Sequence, residues 1–252
     1  MLKIRVMPTL LHRDMGLVKG VRFESSRRTG SALQAIKVYN MRSVDELVFM
    51  DITATLDGRS PDFELIDDLA DECFMPMTVG GGVRSVDDIG RLLAVGADKV
   101  SLNAHAVADP NVIAEGARTF GAQCIVISID VERHENGRPE VMTHGGKRPT
   151  GLDPVEWAKR AADLGAGEIL LTSVDRDGTF EGYDIALTQA VAAAVDIPVI
   201  ASGGCGEYAH MADVLSQTDA AAVAAASIFH FTEQTPAEAK KYLAERGFDV
   251  RV

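Results

Sequence analysis

The strongest constraint on this chain is a strand-then-glycine signature that occurs twice, half a chain length apart. Residues 197–204 read Ile-Pro-Val-Ile-Ala-Ser-Gly-Gly, and residues 75–82 read Met-Pro-Met-Thr-Val-Gly-Gly-Gly. Each is a short apolar run behind a proline that ends in adjacent glycines. The apolar, partly β-branched residues favour a buried strand. The glycines permit a tight turn whose bare backbone can approach a ligand closely. Amides exposed at such a turn, with the start of a following helix beside them, suit an anion such as phosphate. A single strand–Gly–Gly is equally a plain turn; the second copy adds weight to the anion reading. The correspondence extends further, because residues 45–51 (Asp-Glu-Leu-Val-Phe-Met-Asp) answer residues 167–173 (Gly-Glu-Ile-Leu-Leu-Thr-Ser), pairing Glu46 with Glu168. A chain that repeats near its midpoint implies a duplicated half, here about 1–120 and 121–252 of one domain spanning 1–252. Solenoid repeats recur on a much shorter period, roughly every 20–50 residues.

Strands are expected at 2–11, 46–51, 77–79, 99–102, 125–130, 168–172, 199–202 and 221–225. Helices are expected at 32–41, 63–72, 110–120, 154–164, 185–194, 208–216 and 236–246. A further helix follows Ser85, which caps it ahead of Asp87 and Asp88. Asp109 is the expected N-cap of the helix at 110–120, with Pro110 at its first position. Residues 12–28 read as a polar loop, and residues 132–151 as a hairpin turning near Asn136-Gly137. Eight strand–helix alternations in 252 residues predict an α/β fold, the (β/α)8 barrel with a half-barrel duplication. Nearly continuous apolar strands agree with parallel strands buried on both faces. An open doubly wound sheet is the alternative, with fewer units and no repeated half.

Composition excludes several classes of partner. A net charge of −12 argues against nucleic acid, whose phosphates require a basic face. The longest apolar run, 220–229, is too short to span a bilayer. Cys73, Cys124 and Cys205 are far apart, as expected of reduced thiols in the cytoplasm, and no signal peptide is expected at the start. The six histidines show no metal-ligand spacing, and His134 and His144 are expected to be solvated beside the hairpin. No GxGxxG follows the first strand, so no dinucleotide, and no other cofactor or metal, is expected.

Barrel chemistry sits at the C-terminal ends of strands. The polar residues expected there are Asp51, Gly80 to Gly82, Ser101, Asn103, Asp130, Thr172, Ser173, Ser202, Gly203, Gly204 and Ser227. Asp130 closes the run Ile-Val-Ile-Ser-Ile-Asp, and desolvation of a carboxyl so placed tunes it for proton transfer. A loop-capping Asp is the plain alternative. Asp175-Arg176-Asp177-Gly178-Thr179 offers Gly178 to a phosphate and Asp177 to a ligand hydroxyl, or is simply an Asp-Gly turn. Trp157 is expected to pack in the core.

Together these stretches resemble the cyclase subunit of imidazole glycerol phosphate synthase. The likeness rests on Asp-Glu-Leu-Val-Phe at 45–49, Thr-Val-Gly-Gly-Gly at 78–82, Ala-Asp-Lys-Val-Ser at 97–101, Gly-Ala-Gly-Glu-Ile-Leu-Leu-Thr-Ser at 165–173, Asp-Arg-Asp-Gly-Thr at 175–179, Ala-Ser-Gly-Gly at 201–204 and Phe-His-Phe at 229–231. The resemblance implies a barrel that takes ammonia from a partner glutaminase, bound at its N-terminal face. The ammonia is added to a bisphosphorylated ribulosyl aminoimidazole carboxamide, which closes an imidazole ring. It places one substrate phosphate on Gly81, Gly82 and Asn103, and the other on Asp177, Gly178, Gly204, Ala226 and Ser227. Thr172, Ser202 and Gly203 belong to the same substrate site, and Lys19 to a loop over it. Arg5, Glu46, Lys99 and Glu168 would form a salt-bridged ammonia gate at the barrel bottom. Four charges at strand starts are costly to bury unless they pair with one another.

One departure matters. The family's two catalytic aspartates end the first and fifth strands; Asp130 matches the second, whereas Leu11 stands at the first. Leucine cannot move a proton, and loss of a general acid or base costs about 10²–10⁴ in rate. His12 and Asp14 are the nearby substitutes, but His12 should point to the opposite face from Leu11. Gly-Leu-Val-Lys at 16–19, Pro-Asp-Phe-Glu-Leu-Ile at 61–66, Glu-Cys-Phe-Met-Pro at 72–76 and Thr-Gly-Leu-Asp-Pro-Val-Glu at 150–156 resemble a branch of the family lacking that aspartate. That branch implies delivery of ammonia to a separate amidotransferase, which converts an acetamido to an acetamidino sugar in surface-polysaccharide biosynthesis. The alternatives are a working cyclase of histidine biosynthesis using Asp130, a non-catalytic scaffold, and a sugar-phosphate isomerase on the same fold.

Overall fold

The computed structural model describes residues 3–14 and 16–251; Leu2, the expected start of the first strand, and Met15 lie outside the described residues. In chain order the strands are β1 (Arg5–Arg13), β2 (Gly16–Val21), β3 (Glu24–Gly30), β4 (Leu47–Asp51), β5 (Met77–Gly80), β6 (Lys99–Leu102), β7 (Ile125–Arg133), β8 (Pro139–Thr143), β9 (Arg148–Pro149), β10 (Glu168–Ser173), β11 (Val199–Ser202) and β12 (Ala222–Ala225). The helices are α1 (Ala32–Asn40), α2 (Phe63–Ala70), α3 (Val86–Ala94), α4 (Ala104–Ala108), α5 (Asn111–Phe120), α6 (Pro154–Asp163), α7 (Ile185–Ala192), α8 (Tyr208–Gln217), α9 (Ser227–Phe231) and α10 (Pro236–Ala244).

Eight strands close a parallel barrel in the order β1, β4, β5, β6, β7, β10, β11, β12, with β12 returning to β1. The fold is therefore α/β, a (β/α)8 barrel. Closure leaves no free strand edge, so each barrel strand has a hydrogen-bonded neighbour on both sides. Alternate residues along each strand face opposite ways. Met7, Val48, Val126, Leu170, Ile200, Ala222 and Ala224 pack as one cluster inside the barrel. Their neighbours, including Val6, Leu10, Phe49, Val100 and Ile127, pack outward against the helices. Phe49 and Met77 are about 1% exposed, and each such burial is worth roughly 1.5–3 kcal/mol.

The helices begin where their local chemistry directs. Ser85 Oγ accepts from Asp88 N at 3.0 Å. Asp153 accepts from two amides ahead of Pro154, and Thr235 with Glu238 forms a reciprocal capping box. A buried ion pair fastens α10 to the bottom of the barrel. Lys240 Nζ lies 3.0 Å from Asp45 Oδ1, while Asp45 Oδ2 accepts from Val6 N at 3.1 Å.

Several expectations need correction. Residues 12–28 are not a loop, because β2 and β3 fold back as an antiparallel hairpin with Val18 opposite Leu11. The polar sequence hides a hairpin whose backbone is satisfied by pairing to an extended β1. Strand β7 runs past Asp130 to Arg133 because β8 pairs with it, around the expected turn at Asn136-Gly137. Pro110 is itself the N-cap of α5, and Asp109 accepts from Asn111 N at 3.2 Å. Helices α1, α2, α6, α7 and α10 stop one or two residues early, and α8 runs one residue further, where end turns fray. The short helices α4 and α9 follow β6 and β12 directly, a detail absent from the expected pattern.

Candidate active site at the barrel mouth

A cavity of about 790 Å³ opens at the C-terminal ends of the barrel strands. Alternation decides which side chains reach it. From β1 these are Thr9, Leu11 and Arg13; from β6 and its end, Ser101 and Asn103; from β7, Ser128 and Asp130. Lys19, Gly81, Gly82, Thr172, Asp177, Gly178, Ser202, Gly203, Gly204, Ala226 and Ser227 line the same cavity, as does Asp51. Ser173 does not: next along the strand from Thr172, it is buried away from the cavity.

Leu11 thus stands on the cavity wall. His12 turns away, with its ring centroid 5.5 Å from that of Phe49. Burial pushes its imidazole below the ordinary histidine range. Asp14 is in a left-handed conformation beyond the strand and does not line the cavity. Neither residue takes the place of a carboxylate at position 11.

Asp130 keeps a little surface open to the cavity, yet protein surrounds its carboxyl. Burial pushes its pKa up to about 7, with the Asp177 charge adding to the rise and hydrogen bonds from Ser128 and Asn103 opposing it. Asn103 Nδ2 donates to Asp130 Oδ2 at 2.8 Å. A carboxyl with a pKa near neutrality can both accept and return a proton. Asp51 is its opposite. Burial favours its neutral form, but the amides of Thr53 and Ala54, the Thr53 hydroxyl and Arg59 outweigh that and hold it below the ordinary range.

The glycine turns bring backbone against backbone. Gly81 has φ 107°, and a Cβ there would sit 2.2 Å from the Asp51 carbonyl oxygen. Gly204 has φ 102°, and its Cβ would meet the Gly182 carbonyl oxygen at 2.1 Å. No side chain fits at either position, so glycine is required at both turns, and in the first of them Gly82 N donates to Thr55 Oγ1 at 3.3 Å. The β2–β3 hairpin lies over the mouth and is pinned to the loop after β10. Lys19 Nζ, only 3% exposed, contacts Asp177 Oδ1 and Oδ2 at 2.7 and 2.6 Å. Arg22 N donates to Asp177 O at 2.8 Å. The Asp177 carboxylate is thereby engaged by an ammonium while still lining the cavity.

At the opposite end Arg5, Glu46, Lys99 and Glu168 form a closed ring of alternating charge. Arg5 pairs with Glu46 at 2.7 Å and with Glu168; Lys99 reaches Glu46 at 2.7 Å and Glu168 at 2.8 Å. Thr78 Oγ1 donates to Glu46 Oε1 at 3.2 Å. Burial works against each charge, but the facing cations hold Glu46 below the usual carboxylate range, and the facing carboxylates raise Arg5. Above the ring lies the apolar interior cluster, and above that the cavity, whose floor includes Leu170 and Ala224.

Several cavity residues carry no motif signal in the sequence. They include Arg13, Arg84, His105, Lys147 and Arg148. His144, expected to be solvated, also lines the cavity, because the β8–β9 turn folds back over the mouth. His134 instead pairs with Glu140 at the hairpin. Trp157 is 2% exposed and packs in the core. Among the described residues, no group of three His, Cys, Asp or Glu side chains could hold a metal ion, and no helix is long and apolar enough to cross a membrane.

A closed parallel barrel with its cavity at the strand C-termini defines the class: a (β/α)8 protein with an enzyme-type site. The family model for histidine biosynthesis proteins matches residues 5–235. The chain belongs to that family, which is the family of the imidazole glycerol phosphate synthase cyclase subunit.

Proposed function

We propose that this protein conducts ammonia from a glutaminase, docked at the N-terminal face of the barrel, through the barrel interior to a mouth that binds a bisphosphorylated ligand. In this reading the ammonia is passed to a separate amidotransferase that converts an acetamido sugar to an acetamidino sugar in surface-polysaccharide biosynthesis. The observation that carries it is a contrast between the two ends of the barrel. The charged ring of Arg5, Glu46, Lys99 and Glu168 is complete, whereas Leu11 lines the cavity where ring closure needs a second carboxyl. One phosphate is assigned to Gly81, Gly82 and Asn103, and the other to Asp177, Gly178, Gly204, Ala226 and Ser227, with Thr172, Ser202 and Gly203 lining the space between. Lys19 secures the hairpin over the ligand. The three free cysteines suit a reducing cytoplasm.

The test is turnover of the ribulosyl bisphosphate with ammonium salts, comparing the unaltered protein with Leu11→Asp. The unaltered protein is expected to be slower by about 10²–10⁴, the usual worth of a general acid or base, with activity gained in the variant. Full activity without an aspartate at position 11 would overturn the reading. It would instead support a working cyclase of histidine biosynthesis that relies on Asp130 alone, a second reading favoured by that carboxyl's pKa of about 7.

A further inference from the structure

The β8–β9 turn carries an arrangement that ammonia conduction does not require. His144 sits at φ 55°, and Gly145 and Gly146 follow at 65° and 77°. A left-handed residue with a side chain persists only where its surroundings fix it. The turn closes with Lys147 N donating to Thr143 O at 3.1 Å. Arg148 Nη1 lies 3.0 Å from His144 Nε2, and His144 Nδ1 lies 3.1 Å from Thr143 Oγ1. A guanidinium has only donors, so Nε2 must offer its lone pair and the ring is neutral. Its proton is then on Nδ1 and goes to Thr143 Oγ1, whose own hydrogen goes to the Arg148 carbonyl oxygen at 3.3 Å. Both ring nitrogens are engaged, which leaves His144 nothing with which to exchange a proton with a ligand. Its effect falls on where Arg148 points.

His144, Lys147 and Arg148 all line the cavity. Although Arg133 ties the base of their hairpin to Asp175 and Asp184, its turn reaches toward the first glycine turn. A Cβ at Gly145 would lie 3.9 Å from Leu56 Cδ1, and the adjacent Thr55 Oγ1 accepts from Gly82 N at 3.3 Å. Arg84, two residues after Gly82, lines the same cavity. On the other side, the Lys19 ammonium is already matched by Asp177. Among the described residues neither Arg84 nor Arg148 has a carboxylate partner, and Asp51 beside Gly81 is matched by Arg59, so the cations at the Gly81–Gly82 end are left without a carboxylate to balance them.

We propose that Arg148 is a specificity residue for the anionic group seated at Gly81 and Gly82, that His144 is its positioning residue, and that the group is a tetrahedral oxyanion such as a phosphate monoester. This rests on the reading of the cavity as a bisphosphate site. The guanidinium fork matches two oxygens of such a group at once, which a lysine ammonium does not.

Inorganic phosphate titrated into the full-length protein, followed by ³¹P NMR, is the test; two sites are expected. Arg148→Ala should weaken one site about tenfold or more and leave the other unchanged. Arg148→Lys should restore little. His144→Phe should weaken the same site several-fold, yet add nothing in the Arg148→Ala background, since its effect passes through the arginine. His144→Asn, which keeps an acceptor and tolerates the left-handed backbone, should recover most of the affinity. Equal losses from His144→Phe in both backgrounds would overturn the positioning role. Two phosphate sites indifferent to Arg148→Ala would overturn the proposal while leaving the bisphosphate reading intact. An absence of phosphate binding would overturn both.

Discussion

Asp130→Asn should stabilise the protein, and the gain should vanish in acid. Burial raises this carboxyl from an ordinary 3.8 to about 7. Each unit is worth about 1.4 kcal/mol, so holding the ionised form in the fold costs at most about 4 kcal/mol. Water on the cavity side lowers this to an expected gain of about 2–4 kcal/mol for the variant at pH 8. The sign follows from proton binding. Between pH 3.8 and about 7 the folded chain holds the Asp130 proton more tightly than the unfolded chain. The stability from this group is therefore fully present below 3.8 and is lost as pH rises through about 7. Asparagine removes the titration and keeps an oxygen for Asn103 Nδ2. Urea unfolding of both proteins at pH 4, 6 and 8 is the assay. The stability difference should grow from under about 1 kcal/mol at pH 4 to its full value at pH 8. A variant no more stable than the parent at pH 8, or an advantage that does not depend on pH, would refute the reasoning.

Other substitutions probe the same architecture. Asn103→Ala removes a hydrogen bond to the ionised form of Asp130, so the Asp130 carboxyl should titrate still higher by ¹³C NMR. Lys99→Met leaves Glu46 and Glu168 sharing Arg5 alone and should cost about 3 kcal/mol in urea unfolding, with part recovered by adding Glu168→Gln. Glu46, held below its ordinary 4.5, contributes stability above that pH which is lost as pH falls through its folded value; Glu46→Gln should flatten that part of the acid-unfolding curve. Lys240→Met strands a buried Asp45 and should lower stability by about 3–5 kcal/mol, measured by thermal or urea unfolding, without altering phosphate binding at the distant mouth.

Much of this molecule was legible before any coordinates. Apolar strand runs, alternating helices and a repeated glycine turn implied the barrel, because a parallel strand buried on both faces has few other compositions open to it. Period-two alternation then places Leu11 inside and His12 outside, and the structure agrees. Asp130 announced itself as a carboxyl closing a hydrophobic strand. The β2–β3 hairpin was hidden, because its polar residues pair through backbone groups that no side-chain pattern advertises. Arg84, His105, His144 and Arg148 were hidden too, since each reaches the cavity from a segment beyond the barrel strands (a turn, the short helix α4 or the strand β9) whose direction depends on what it packs against.

The order of residues alone determined the strand–helix alternation, the positions where backbone must be bare, and the absence of a carboxylate at position 11. These are local properties of spacing and side-chain type. Only the tertiary structure decided which carboxylate each cation of the expected ring meets, that Lys19 meets Asp177, and that Arg148 lies against His144 Nε2. Those facts depend on ångström-scale separations between residues remote in the chain, and such separations exist only once the barrel has closed.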